Sequence, residues 1–570
     1  MIQRLLRTLL PALLLAGCTT QAAEPVRTAA LPASGPGTVS AADPRAAAAG
    51  VEILRAGGSA TDAAIAVMLA LTVVEPQSSG IGGGSFLVHH DAGSGAVASY
   101  DGRETAPAAA GPDWFYVNGQ PLGRGAAVPG GRSVGVPGNF RLAALAHSKH
   151  GRLTWDRLFA PAIRLARDGF AITPRLERSI QSNADGIVLS PWGRAQFLDA
   201  SGKAKPAGTV LRNPELATLL ERVAQRGPDW FYTGPPAADI VRTVNTAPVN
   251  PSRMTAGDLA SYDAKERPPV CGSYRGHRVC GMGPPSSGAT TVFAILKQLE
   301  RFDLAALGPD SPEAWHLLAD SMRLAYADRE AWLADPDYVQ VPVAGLMDEA
   351  YLRGRSALIT EGRALADAKP GTPAGAPKLG IGRAAEVPQT SHFVAVDARG
   401  NVASMTSTIE GPFGSGLTSN GFFLNNELTD FSIVPQANGA PVANRVEGGK
   451  RPRSSMSPTI VYAPDGSVRL AVGAAGGSTI IAQVAKAIIG VIDWKLSAQD
   501  ALALPQILGL GNRVLVERGT RLEAMVPALT AMGHSVGTTP PGFKANAVER
   551  VGGRWVGAAD PRSEGVALSE

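Results

Sequence analysis

Thr390 is the residue with the most chemistry to offer in this 570-residue chain. It opens the stretch Thr390-Ser391-His392-Phe393-Val394-Ala395-Val396-Asp397, whose apolar side chains alternate as in a strand, directly after Val387-Pro388-Gln389. If the Gln389–Thr390 bond is cut, the freed threonine carries a hydroxyl together with an α-amine that titrates near ~7.7–8.0 and can take the hydroxyl proton. We therefore read the junction as self-cleaving and Thr390 as the nucleophile, with no separate catalytic histidine required.

Other groups fall at useful distances from it along the chain. A three-residue loop, Ala398-Arg399-Gly400, leads into a second strand from Asn401 to Ile409, with glycine where such a loop wants a positive φ. Pairing Asp397 with Asn401 carries the register back until Thr390 faces Thr408, a second hydroxyl that could polarise the attacking oxygen. A threonine-rich strand without catalytic meaning has the same periodicity. In Phe423-Leu424-Asn425-Asn426-Glu427-Leu428-Thr429-Asp430-Phe431, two carboxylates three residues apart could hold an ammonium, or simply sit on a solvated turn. Lys450-Arg451-Pro452-Arg453-Ser454-Ser455 offers hydroxyls and basic groups suited to a carboxylate, or a basic surface loop. Val472-Gly473-Ala474-Ala475-Gly476-Gly477-Ser478 joins a strand to a helix, so the amides of Gly476 and Gly477 could point at a developing oxyanion, although glycines there also suit tight packing.

Two further motifs are weaker. Gly80-Ile81-Gly82-Gly83-Gly84 lacks the order of a dinucleotide fingerprint, so close backbone packing is its expected role. Gly131-Arg132-Ser133-Val134-Gly135 matches G-x-S-x-G formally, but Val136-Pro137-Gly138 breaks the helix that a nucleophile elbow requires after its serine.

The elements that must position these groups are legible in outline. Asp43-Pro44 offers an N-cap and a first-turn proline to a helix from Arg45 to Arg55, and a second helix from Ala60 to Val74 is apolar on nearly every face. From Pro137 to about Gly380 the period is mainly helical, clearest over Asn139–His150, Trp155–Asp168 and Ser311–Ala334. Asp367 to Glu386 reads as a mobile linker running up to the cut. Beyond Thr390 the pattern is strand-rich, then helical over Thr479–Val491, Ala498–Ala503 and Leu522–Met532. Helices, two sheets and helices suggest four layers. If Arg275-Gly276 form a two-residue turn, Cys271 lands opposite Cys280 in a close non-hydrogen-bonded pair, so a disulfide is geometrically plausible; two buried thiols are the alternative.

Composition narrows the class. With 45% hydrophobic and 18% charged residues the chain is globular, and a net charge of +4, without basic runs interleaved with aromatics, argues against a nucleic-acid partner. Histidines are scattered, so no metal site or organic cofactor is expected. Arg4 and Arg7 precede an apolar run from Leu9 to Ala16 that is too short to span a bilayer, which reads as an export signal. Leu15-Ala16-Gly17-Cys18 resembles a lipoprotein box, so residues 1–17 are read as a signal peptide, Cys18 as the lipidated residue and 18–40 as a flexible tether, placing the protein in the periplasm on a bacterial membrane. Ordinary cleavage near Gln21-Ala22-Ala23 is the alternative.

Taken in order, the motifs resemble the γ-glutamyltransferase (glutathione hydrolase) family of N-terminal nucleophile hydrolases. The likeness runs from Asp43-Pro44 through Gly82-Gly83-Gly84, Asp101-Gly102-Arg103-Glu104, Gly135-Val136-Pro137-Gly138 and Pro284-Pro285-Ser286-Ser287-Gly288 to Asp560-Pro561-Arg562. It implies a four-layer αββα α+β sandwich in which a precursor is cut into a large subunit, 41–389, and a small one, 390–570. It implies that Thr390 attacks the Gln389 carbonyl and, once freed, takes the γ-glutamyl group from a donor such as glutathione and passes it to water or to an amino acid or peptide amine. By position Arg103, Ser454 and Ser455 match the family's α-carboxylate binders; Glu410, Glu427 and Asp430 its α-ammonium binders; Gly476 and Gly477 its oxyanion hole; and Thr408 the partner of the nucleophile. Glu410 stands where many members have asparagine, Thr429 replaces a common acid, and Ser432 to Gly449 is short and lacks a lid tyrosine found in some members. A cephalosporin or glutaryl acylase of the same family is the nearest rival reading, and a non-catalytic binding lipoprotein a distant one.

Overall fold

A buried strand precedes the first expected helix. In the computed structural model, which describes residues 35–382 and 389–570, β1 (Thr38–Ala41) is buried at every position. The Asp43 carboxylate then accepts from the Arg45 amide to start α1 (Pro44–Arg55), and a capping box between Ser59 and Asp62 starts α2 (Ala60–Val74), which is buried on all sides. Strands β2 (Gly84–His90) and β3 (Val97–Gly102) follow. A mostly helical stretch leads to β4 (Lys265–Arg267), β5 (Val270–Tyr274), β6 (His277–Gly281), α3 (Gly288–Leu299) and α4 (Pro312–Trp332). After Gln389 come β7 (Ser391–Val396), β8 (Val402–Thr408), β9 (Thr459–Tyr462), β10 (Val468–Ala475), α5 (Thr479–Ile492), β11 (Lys544–Val551), β12 (Arg554–Ala559) and β13 (Val566–Ser569).

These strands form two sheets, ordered β13–β1–β7–β8–β2–β3–β4 and β12–β11–β10–β9–β6–β5. The period of two explains how they stack. Phe393, Ala395, Ala403 and Met405 share a core with α1 and α2, whereas Val394, Val396 and Val402 point the other way, into the core built on the second sheet. Helices α3 and α5 cover the far side of that sheet, with α4 packed on α3. The result is the expected four-layer αββα sandwich, and strands β7 and β8 lie inside it, shielded on both faces.

Several expectations need correction. The tether does not extend to residue 40: β1 pairs with β7 and β13, because Thr38 to Ala41 supplies the edge-to-edge hydrogen bonds that β7 needs on its free side. The described part of the linker, Asp367 to Gly382, is irregular yet pinned rather than mobile. The Gly371 amide donates to Asp328 at 2.7 Å, and the Gly380 amide donates to the Pro441 carbonyl at 3.0 Å. Residues 383–386, Val387-Pro388, the signal segment, Cys18 and the first part of the tether lie outside the described residues. The helix expected over Leu522–Met532 is two short ones, Arg521–Ala524 and Val526–Ala531, because Pro527 starts the second.

The hairpin expectation holds in detail. Arg275 and Gly276 have φ of +49° and +77°, Tyr274 pairs with His277, and Cys271 faces Cys280 with Cα atoms 4.1 Å apart and a disulfide between them. Among the described residues, no helix is long and apolar enough to cross a membrane.

Candidate active site

The register that sets Ser391 against Ser407 brings Thr390 level with Thr408, and the Thr390 hydroxyl donates to Thr408 Oγ1 at 3.1 Å. Thr408 Oγ1 also accepts from the Glu410 amide at 2.8 Å, so one lone pair meets that amide and the other meets the Thr390 hydroxyl. The glycines before β2 make this possible: a Cβ on Gly83 would lie 1.9 Å from the Thr408 carbonyl oxygen, so only glycine lets the two backbones approach. Thr390 is 5% exposed and has φ +101°, a left-handed value that a β-branched residue adopts only under constraint. The strained residue is the one that follows the expected cut.

The carbonyl of Gln389 is held as a reacting carbonyl should be. Its oxygen accepts from the Gly476 amide at 2.9 Å, in the turn between β10 and α5 where Gly476 and Gly477 have φ of +132° and +56°. Gly477 lines the neighbouring cavity. On the other side of the bond, Ser78 donates to the Gln389 side-chain oxygen at 3.0 Å and Ser391 donates to Glu75 at 2.6 Å. Lys544 joins them, donating to Glu75 at 2.9 Å and to Ser391 at 3.2 Å.

A cavity of about 20 Å³ collects Thr390, Thr408, Gly477, Arg103, Glu410, Glu427, Asp430, Ser454 and Ser455 around one point. Every expected recognition residue is thus brought to Thr390. Their partners differ from the expectation that carboxylate and ammonium binders stand apart. Arg103, 1% exposed, donates to Glu427, to Asp430 at 2.7 Å and to the carbonyls of Pro452 and Arg453 at 3.1 and 3.0 Å. A guanidinium buried without an anion would be very costly, so the acids expected to face an ammonium hold the arginine meanwhile. Burial raises the pKa of both Glu427 and its neighbour Glu104, while Arg103 opposes the shift. Ser454 Oγ accepts from the Met456 amide at 3.1 Å, and Ser455 Oγ accepts from Arg329 at 2.7 Å.

Four participants escaped the sequence reading. Arg124 on the short helix Arg124–Ala127 donates to Glu410 at 2.5 Å, and buried Arg329 on α4 bridges Ser287 and Ser455. Glu75 and Lys544 form the buried pair beside the junction; burial lowers the lysine to about 8, Glu75 opposing. A charged residue at an unexpectedly apolar position was the available signal for Lys544, which sits in Phe543-Lys544-Ala545-Asn546-Ala547-Val548. His392 proves structural: its ring accepts or donates to Thr406 at 2.8 Å across the ladder, and burial lowers its pKa to about 3. Ser133 donates to the carbonyls of Val128 and Gly130, stapling a loop and not forming a nucleophile elbow.

Comparison with known proteins gives the family. The family model described as gamma-glutamyltranspeptidase matches residues 46–569. The chain is 35% identical over 549 residues to a glutathione hydrolase proenzyme of Bacillus subtilis, covering 93% of this chain and 91% of that protein. It is 36% identical over 518 residues to an acylase ACY 1 proenzyme of a Pseudomonas species, covering 89% of each. A cephalosporin acylase from Bacillus halodurans superposes with a TM-score of 0.82 at 26% identity, over 96% of this chain and 98% of that one. Matched in sequence over residues 46–569 and in fold over 96% of its length, the chain belongs to the gamma-glutamyltranspeptidase family of enzymes.

Proposed function

We propose that the protein is an autoprocessed γ-glutamyltransferase and glutathione hydrolase whose nucleophile is Thr390. The observation that carries this reading is the pairing of two contacts across one peptide bond: the Gln389 carbonyl oxygen on the Gly476 amide at 2.9 Å, and the Thr390 hydroxyl on Thr408 at 3.1 Å. In the precursor, Thr390 Oγ1 adds to the Gln389 carbonyl carbon, the oxyanion is held by Gly476, and collapse moves the acyl group from nitrogen to oxygen. Water opens that ester, leaving the Gln389 carboxylate and a free α-amine on Thr390. The mature amine then accepts the hydroxyl proton as Thr390 attacks the γ-carbonyl of a donor, and returns it to the departing amine. The γ-glutamyl ester passes to water or to an amino acid or peptide amine.

In this reading the donor's α-carboxylate reaches Arg103, Ser454 and Ser455, and its α-nitrogen faces Glu410, Glu427 and Asp430. Binding exchanges the internal Arg103–Asp430 and Arg103–Glu427 pairs for pairs with the donor's two charges, the carboxylate on Arg103 and the ammonium on the acids. The processed halves, 41–389 and 390–570, stay together as a heterodimer, exported and anchored in the bacterial envelope through Cys18. Intact mass of the exported wild type beside Thr390→Ala tests the reading: two fragments, the smaller starting at Thr390, against one uncut chain. A wild type that folds and stays whole would put the binding-protein reading first.

A second reading is an acylase that takes an acyl chain without an α-amine. It is favoured by the acylase relatives and by the arginine already beside each of the three acids. Equal rates on γ-glutamyl and glutaryl anilides would select it.

A further inference from the structure

Arg124 links two cavities, bonded to a residue that lines one and itself lining the other. Its guanidinium holds Glu410 at 2.5 Å on the side of the cleft that contains Thr390. Arg124 and Thr429 line a second cavity of about 350 Å³, walled by Phe431, Ile433 and Val442 and open toward Ile381 and Val434, which are half exposed. In the γ-glutamyl reading Glu410 faces the donor's α-nitrogen, and Arg124, which grips Glu410, lines this second cavity. The second cavity therefore adjoins the α-nitrogen end of the donor site in that reading.

Charge points the same way. Each acid near that nitrogen already has a cationic partner: Arg103 beside Glu427 and Asp430, Arg124 beside Glu410. At Glu410 a donor ammonium must compete with Arg124, whereas a donor whose α-nitrogen is an amide leaves the Arg124–Glu410 pair intact. We propose that the second cavity is a subsite for an acyl group carried on the donor's α-nitrogen, so that the protein accepts α-N-acyl-γ-glutamyl amides, with Arg124 donating to the acyl carbonyl. The inference rests on the γ-glutamyl reading of the cleft. The reaction is unchanged: the Thr390 Oγ1–acyl bond forms, the γ-amide C–N bond breaks, the departing amine leaves with the proton that Thr390 gave up, and water regenerates the hydroxyl and releases the γ-carboxylate.

The apolar walls predict a dependence on chain length, because each buried methylene is worth roughly a factor of four. The test compares the cut enzyme on p-nitroanilides of γ-glutamate, N-acetyl-γ-glutamate and N-hexanoyl-γ-glutamate. The N-hexanoyl donor should exceed the N-acetyl donor by about tenfold or more in kcat/KM. Val434→Asp, at an exposed position on the rim, should bring that ratio toward one, and Arg124→Met should lower both N-acyl donors relative to the free-amine donor. Hydrolysis of the free-amine donor with none of the N-acyl donors, or with no dependence on chain length, overturns the subsite while sparing the γ-glutamyl reading. Failure of all three donors overturns both.

Discussion

The backbone amide of Gly476 lies 2.9 Å from the carbonyl oxygen of Gln389, so the group expected to stabilise an oxyanion already touches the bond expected to break. Preorganised donors of this kind act mainly in the transition state, where charge on the oxygen is greatest. Thr479 keeps the turn closed, its amide and hydroxyl both donating to the Gly476 carbonyl.

Gly476→Ala should therefore slow processing. Its Cβ would come within 2.4 Å of Thr479 Oγ1, at a φ of +132° that alanine resists, so the amide must shift. Losing one such donor typically costs about 10²-fold in rate, which a time course of precursor disappearance on a denaturing gel will measure. A variant cut at the wild-type rate would remove Gly476 from this role.

Thr390→Ser should retain a slower cut and some turnover, whereas Thr390→Ala should lose both. The serine variant keeps the hydroxyl that donates to Thr408 but gives up the methyl that limits its rotamers. Mass analysis and anilide release, followed together, separate processing from catalysis.

Arg103→Ala takes from buried Glu427 and Asp430 the guanidinium that pairs with both, and removes the group proposed to hold the donor's α-carboxylate. KM should rise at least about tenfold, and stability should fall by ~3–5 kcal/mol, the usual consequence of breaking a buried pair from one side. Arg103→Lys should recover stability better than KM, since a lysine supplies charge without the forked geometry. Denaturant melts and donor saturation curves check the two effects separately.

Acid should unfold the protein through its buried histidines. Burial lowers His89 and His392 to about 3 and His534 to about 4, all below the ordinary value of 6.5. Between those values the unfolded chain binds more protons than the folded one, so stability falls as pH drops below about 6.5, by as much as ~1.4 kcal/mol per pH unit for each histidine. Melting temperatures measured from pH 7 to pH 4 should decline steeply, and His392→Asn should flatten the slope.

Reducing the Cys271–Cys280 bond should change stability and not chemistry. It closes a short loop at the edge strand of the second sheet, with a sequence separation of 9. Chain-entropy arguments put its contribution at about 2.5 kcal/mol. Cys271→Ser/Cys280→Ser should lower Tm with kcat/KM unaltered.

What the sequence disclosed and what it hid divide along a physical line. The Thr390–Thr408 pairing was readable because a period of two and a three-residue loop with Gly400 at φ +88° fix the register locally. The Cys271–Cys280 pairing was readable for the same reason. The residues that gather around Thr390 were singled out through the order of motifs, but their mutual contacts were not: Arg103 and Asp430 are separated by 327 residues, and nothing in either segment shows that they meet. Arg124 and Arg329 sit in ordinary polar helical sequence, and only folding gives them acids and hydroxyls to hold. Strand β1 was missed because four small or hydroxylated residues carry little periodic signal, although its neighbours leave a gap for it.

The sheet order gives the proposed cut a lasting mechanical consequence. β1, from before the junction, is hydrogen-bonded between β7 and β13, both from after it, while β8 is bonded to β2 on the earlier side. The two pieces are woven through one another and have no flat interface along which to part. Separating them requires unzipping the ladders, after which each piece has lost the strands that templated its folding. A processed molecule, once denatured, should therefore fail to regain its shape where the uncut precursor succeeds: the single chain can fold, and the mature enzyme can only persist.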